Sequence, residues 1–296
     1  MSWLRNLIIS LCLLPALPDA SAAAYEVSAA RQEAQTLDAS QFKDFANEWA
    51  FIASPPLLGP TRVVEPWRPW AQTSFNVRSV RLAPGSDDRP VSPPQYAWVA
   101  EPRLARQPEP NIFVPAIEAG IGLPGNFQAG LLYGRSPNVN LQVTGVDISY
   151  PFLRPSLSSP GLWTRLSYVY PTRVPGLRLH VPSIGLYLTN EFLRTPAAGR
   201  PLTMHLHAGI QQSLVIAVPQ GLVEKKVDAD GTVRYLERST NVFPASTQFL
   251  LGIQLDRHRW SLHADAGYAS SESTLDGTRR VRAFWNQSYR LAYHWQ

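Results

Sequence analysis

The sequence predicts an all-β fold: an antiparallel transmembrane β-barrel of about ten strands, led by a short helical N-terminal segment. Three observations predict it. The chain opens like an exported protein. From about Phe75 onward, apolar and polar residues alternate with a period of two, the pattern of strands with one apolar face. Several of these runs reach ten residues or more. That exceeds the ~5–6 usual in soluble sheets and approaches the ~9–11 that cross a bilayer at a tilt.

Composition narrows the field. The 296 residues carry 27 Lys and Arg against 22 Asp and Glu, a net charge of +5, with 17% charged and 10% aromatic residues. Mean hydropathy is −0.14. The single Cys excludes a disulfide scaffold. No apolar run of ~20 residues follows residue 24, which excludes a polytopic helical membrane protein. The aromatic content argues against disorder. The basic residues are scattered rather than clustered, so nucleic acid is not an expected partner.

The start of the chain sets the compartment. Met1 to Arg5 is short and basic, Leu7 to Leu17 is apolar, and Ala20-Ser21-Ala22 offers a small-residue cleavage site. This is the layout of a signal peptide over 1–24. The apolar run is too short for an anchor helix. Cys12 follows Leu11, where a lipoprotein site takes a small residue, so it reads as filler. The remaining chain has no Cys, which suits a bacterial envelope better than a disulfide-rich exterior.

Residues 25 to about 54 read as helical. Asp38 can N-cap a piece in which Phe42, Phe45, Ala46 and Trp49 fall at i, i+3, i+4 and i+7. Such a narrow aromatic face can pack against a barrel end, plug a lumen or dock on a partner. Residues 55–70 are Pro-punctuated and extended. The expected organisation is therefore 1–24 signal peptide, 25–70 periplasmic or plug segment, and 71–296 barrel.

Ten candidate strands follow: 74–82, 111–122, 126–134, 140–151, 162–171, 177–188, 202–217, 240–255, 259–269 and 282–295. Eight or twelve strands are also compatible, because the alternation is weak in places. Aromatic residues gather at strand ends, as in Tyr150 and Phe152, Trp260 and Tyr268, and Trp285 and Trp295. In the last strand Tyr289, Leu291, Tyr293 and Trp295 share one face, and Ser288, Arg290 and His294 share the other.

On these residues the chain resembles bacterial outer-membrane β-barrel proteins, at the level of architecture and over about 74–296. Members of that group typically end in an alternating aromatic strand that the barrel-assembly machinery recognises. Here Gln296 follows the last aromatic residue, a departure from the usual terminal aromatic. The resemblance implies outer-membrane lipid as surroundings, the assembly machinery as a partner through Tyr289, Leu291, Tyr293 and Trp295, and a periplasmic C-terminus. Counting back from that end makes 83–110, 218–239 and 270–281 external loops, and Gly122–Asn126 and Asp256–His258 tight inner turns. The long-outside, short-inside pattern of such barrels holds there. It fails at 189–201, a long inner turn, and at 172–176, a short outer one. An even strand number would also place 25–70 in the periplasm. Asp230-Gly231 inside 219–239 signals a protruding hairpin, and the Pro-rich 83–110 reads as an extended surface loop.

If the apolar face meets lipid, the polar face lines the interior. The expected lumen-lining residues are Glu118, Asp147, Arg165, Arg178, His180, His205, His207, His263, Asp265 and Arg290. In a barrel of this size such groups either pair as a polar core or line a narrow path with a weak preference for anions. His205-x-His207 lacks the further ligands a metal site needs. His263-x-Asp265 with Ser167 or Ser288 lacks any motif that would make a hydrolase triad. No phosphate-cradling loop or dinucleotide fingerprint is present in the sequence. The expectation is a barrel without cofactor or metal and not an enzyme. Small-solute transport comes first, a structural or surface-interaction barrel second, and a barrel-embedded lipid hydrolase third.

Overall fold

The computed structural model describes Phe51 and residues 62–82, 111–137, 141–172, 177–195, 201–219, 223–237, 245–275 and 278–295. The expected signal peptide over 1–24, most of the expected 25–70 segment and the expected 83–110 loop lie outside the described residues.

Among the described residues thirteen strands form: β1 Pro69–Leu82, β2 Asn111–Gly122, β3 Gln128–Arg135, β4 Gln142–Leu153, β5 Gly161–Thr172, β6 Leu177–Arg194, β7 Leu202–Leu214, β8 Ile216–Pro219, β9 Val223–Val227, β10 Val233–Glu237, β11 Ala245–Arg257, β12 Trp260–Leu275 and β13 Thr278–His294. Ten of them, β1–β7 and β11–β13, close an antiparallel barrel. Neighbours in sequence pair in space throughout, β7 pairs with β11, and β1 pairs with β13 to join the chain's two ends. Closure removes the unpaired sheet edges that would otherwise invite aggregation. The short β8 continues β7 beyond Val215 and pairs with the start of β6.

The barrel has two unlike ends. At the short-turn end, Pro124–Asn126 joins β2 to β3 in a single 3-10 turn, with positive φ at Gly125 and Asn126. Two residues, His258 and Arg259, join β11 to β12. Two expected connections are corrected. β6 runs on to Arg194, so the inner connection expected over 189–201 shrinks to 195–201. A register shift between Glu191 and Leu193 allows the extension, because a bulge lets a strand bend without leaving its ladder. The loop expected over 270–281 is mostly strand, with β12 and β13 paired out to Leu275 and Thr278. At the other, long-loop end, β9 and β10 form the expected hairpin. Its turn is closed by Asp228 N–H donating to Thr232 O at 2.9 Å, and Gly231 adopts a φ of 82°. Thr232 N–H donates to the Asp230 carboxylate, which holds that carboxyl below its usual range.

Burial is inverted relative to a water-soluble protein. The outward faces carry the large apolar side chains, with Leu131 67% and Leu251 63% exposed. The inward faces carry polar and charged ones, including Gln254, Ser288 and Arg290 at no more than 1%. Among the described residues, exposed outward-facing charges sit only toward the ends, as in Arg135, Arg178, Arg194 and Arg257. Aromatic clusters flank the apolar zone. At the short-turn end Tyr293 contacts both Trp260 and Trp295, and Tyr150 contacts both Phe127 and Phe152. Tyr268 and Trp285 pair toward the long-loop end. Trp260 and Tyr268 are eight positions apart on β12, about 26 Å along the strand. At the usual barrel tilt that is about 20 Å along the axis.

Candidate functional site: the barrel interior

The interior is built in three levels. Near the short-turn end, Trp70, Gln72, Gln128, Ser261 and His294 point inward and are buried. Two ion-pair clusters occupy the middle. In the first, Arg165 on β5 reaches Glu118 on β2 at 2.8 Å and Asp147 on β4 at 3.1 Å. Gln72 Nε2 donates to the same Glu118 at 2.5 Å. In the second, Asp265 on β12 uses both oxygens. Oδ1 meets His207 Nε2 at 2.5 Å, and Oδ2 accepts from Arg290 Nη2 at 2.8 Å and Nε at 3.2 Å. The His263 ring lies 3.4 Å from the same guanidinium. His205 sits one step nearer the short-turn end, 3.3 Å from Asp256.

Each cluster crosses a glycine. His207, Gly252 and Asp265 form one row across β7, β11 and β12. A Cβ at Gly252 would strike His207 Nε2 and Asp265 Oδ1. Gly130 on β3 pairs with Asp147, and its added Cβ would meet Asp147 Oδ1 at 2.6 Å and both Glu118 Oε1 and Trp70 at 3.2 Å. An absent side chain on the middle strand is what lets groups two strands apart touch. Gly252→Ala and Gly130→Ala should therefore each destabilise the barrel by about 1–3 kcal/mol. Chemical denaturation in detergent reads this, and an unmoved midpoint for both would contradict the crossing geometry.

The third level is apolar and was not anticipated from sequence. Ile112, Val114, Leu141, Val143, Val169, Leu179, Val181, Val215, Ala217 and Phe284 point inward around the long-loop end, all buried. This collar corrects two expected lumen residues. On β6 the inward positions are the odd ones, so Leu179 and Val181 face in while Arg178 and His180 face out. His180 instead contacts Tyr168 Oη at 2.5 Å and stacks near Tyr170. Above the apolar zone, the outward face no longer has to be apolar and the inward face has to be filled, so the sequence pattern flips while the strand's parity does not. Glu118, Asp147, Arg165, His205, His207, His263, Asp265 and Arg290 all point inward and are buried. Tyr289, Leu291 and Trp295 are exposed on the outward face of β13, with Tyr293 half-buried beside them.

The catalytic arrangement weighed from sequence does not assemble. Asp265 is taken up by His207 and Arg290, and His263 faces Arg290 with no serine bonded to it. A Ser–His contact does exist elsewhere, Ser261 Oγ to His294 Nε2 at 3.2 Å. The other ring nitrogen, Nδ1, has no partner to orient it, so the geometry of a triad is incomplete. Among the described residues no group of three or more His, Cys, Asp or Glu is placed to hold a metal ion.

Fold and interior together define the class: a closed ten-stranded antiparallel β-barrel, apolar outside and polar within. No family model matches the chain, and no curated protein does. Among solved structures it is similar to Neisserial surface protein A, at 13% identity and a TM-score of 0.29, over 76% of this chain and 96% of that one. It is similar to the KdgM porin at 7% identity and 0.29, over 75% and 99%. It is also similar to the transport unit of the autotransporter AIDA-I from Escherichia coli at 9% identity and 0.36, over 86% and 98%. At these values the likeness carries no inference about ligand or activity.

Proposed function

We propose that the chain is a bacterial outer-membrane β-barrel, exported through a cleaved signal peptide and assembled through its C-terminal strand, with a non-conducting structural or surface-interaction role. The observation that carries this reading is the inverted burial. A belt of outward-facing leucine, isoleucine and aromatic side chains surrounds an interior of paired ions and amides. In water that belt would be a large unsatisfied apolar surface, whereas in lipid it is matched. The interior supports the non-conducting role over the solute pore, because its central charges are bound to one another and apolar side chains make up much of the wall at its long-loop end. An apolar constriction in a pore dewets and closes it to ions.

One observation favours the second reading, a narrow water-filled path. His263 Nε2, Gln254 Oε1, Asn286 Oδ1 and Ser288 Oγ point inward without a protein partner, and buried groups of that kind normally bind water. Planar-bilayer recording separates the two. Folded protein is expected to show no steady conductance, and reproducible single-channel openings would establish the pore instead. The membrane reading has its own measurement. The unboiled protein should migrate as a folded band in detergent gels, and recovery in the soluble periplasmic fraction would overturn it.

A further inference from the structure

The two ends of the bore are filled differently. At the long-loop end the collar is joined by Phe51, which is 2% exposed. Its ring centroid lies 4.8 Å from that of Phe284, and its carbonyl accepts from Arg78 Nη1 at 2.7 Å. The short-turn end is lined by Trp70, Gln72, Gln128, Ser261 and His294, and the chain that leads into β1 lies across it.

Arg62 spans that mouth by itself. Its guanidinium donates from Nη1 to His258 O in the β11–β12 turn, and its own carbonyl accepts from Gln128 Nε2 on β3 at 2.8 Å. These anchors stand on opposite walls, because four barrel strands separate β3 from β11 in either direction round the ring. Val63 packs on inward-facing Trp163, Tyr187 and Leu250, and Val64 is 5% exposed. Gly122 makes the room. It faces inward at the end of β2, where a Cβ would lie 2.1 Å from Glu65 O and 2.8 Å from Val64 O. The backbone of Val64 and Glu65 therefore fills the volume that a side chain on the wall would take.

The same segment carries a hinge. At Glu65–Arg68 the chain turns back to the wall, with Arg68 N–H donating to Glu65 O at 3.1 Å. Trp67 has a φ of 66°, a conformation that bulky side chains rarely adopt. It is held there by its N–H to Gly122 O at 2.7 Å and by Gly122 N–H to Arg68 O at 3.0 Å. Arg62–Val64 lies outside the strand ladders, so this leg can leave the mouth without breaking a wall pair. Opening so few contacts costs far less than opening the wall.

We propose that Arg62–Arg68 is a hinged strap that shuts the short-turn mouth of the barrel, with Arg62–Val64 as the leg that swings away when that mouth opens. This closure rests on the non-conducting reading and names what shuts that end.

Thiol accessibility in the purified, folded protein tests it, with a charged, water-soluble methanethiosulfonate as probe. Cys12 is the only Cys, so the unaltered chain serves as blank. Ser261→Cys reports from behind the strap, where Ser261 is 1% exposed, and Ser213→Cys from the long-loop half, where Ser213 is 3% exposed. Ser158→Cys reports from the exposed β4–β5 connection. With the strap unaltered, Ser261→Cys should react at least about tenfold more slowly than Ser158→Cys. Arg62→Ala combined with Val63→Ser, and separately Gly122→Ala, should each speed Ser261→Cys by about tenfold and leave Ser213→Cys unchanged. The first removes an anchor and the apolar seat. The second adds a methyl group where the strap lies, so its gain cannot come from lost bulk. Ser261→Cys reacting as fast as Ser158→Cys behind the unaltered strap overturns the closure, whether or not the strap variants fold. So does a folded strap variant that leaves Ser261→Cys protected, or one that speeds both buried thiols alike. Bilayer recording of the unaltered protein reads the other claim. Steady conductance removes the non-conducting role and the strap with it, whereas a silent barrel with a reactive Ser261→Cys removes the strap alone.

Discussion

Arg165→Ala is expected to cost the barrel about 3–5 kcal/mol, enough to leave much of the population unfolded. The side chain is 3% exposed and lies within ion-pair distance of two carboxylates, Glu118 and Asp147, which are themselves almost wholly buried. Removing the guanidinium leaves two like charges inside a closed wall, where water is too scarce to replace it. The loss is dominated by that orphaning rather than by the attraction of the original pairs, since paired buried charges roughly offset their own desolvation. Arg165→Met combined with Glu118→Gln and Asp147→Asn should therefore recover most of the stability. Unfolding in urea, followed by tryptophan fluorescence in detergent, measures both. A single variant that loses less than about 1 kcal/mol would mean the cluster is solvated from the bore, and would revive the water-filled path.

Leu251→Arg is expected to destabilise the protein in lipid by about 2–4 kcal/mol. Leu251 points outward from the middle of β11, flanked on the same face by Phe249 and Ile253. At that depth a charge has no partner in hydrocarbon. The same substitution on a water-exposed strand face would move stability by no more than about 0.5 kcal/mol. Folding into vesicles across a urea series distinguishes the two. A change within the smaller range would remove the membrane reading, because nothing else about the outward face makes an exposed leucine sensitive to charge.

Much of the barrel was legible in the residue order. Alternation in runs such as Met204–Ile210 and Trp260–Tyr268 marks the starts of β7 and β12 to within one residue, while β12 runs six residues past its expected end at 269. It is legible because an apolar outward face and a crowded, largely polar interior force a period of two on every strand. The inward positions of Glu118, Asp147, His207, Asp265 and Arg290 follow from the same parity. Arg178 and His180 depart from the rule that polarity means inward along the whole strand. That rule holds only where the outward face is apolar, and β6 extends past that zone.

The sequence by itself determined the fold class, the strand order along the chain and which residues are candidates for the interior, because these depend on local periodicity and on the chemistry of each face. It could not determine which interior charges meet. Arg165 is 47 residues from Glu118, and His207 is 58 from Asp265. Those contacts depend on barrel closure, on register and on Gly130 and Gly252 standing where a side chain would intervene. The apolar collar and the seat of Phe51 within it were likewise decided only by tertiary structure. Inward-facing leucine and valine look like outward-facing ones until the wall closes and gives each strand an inside.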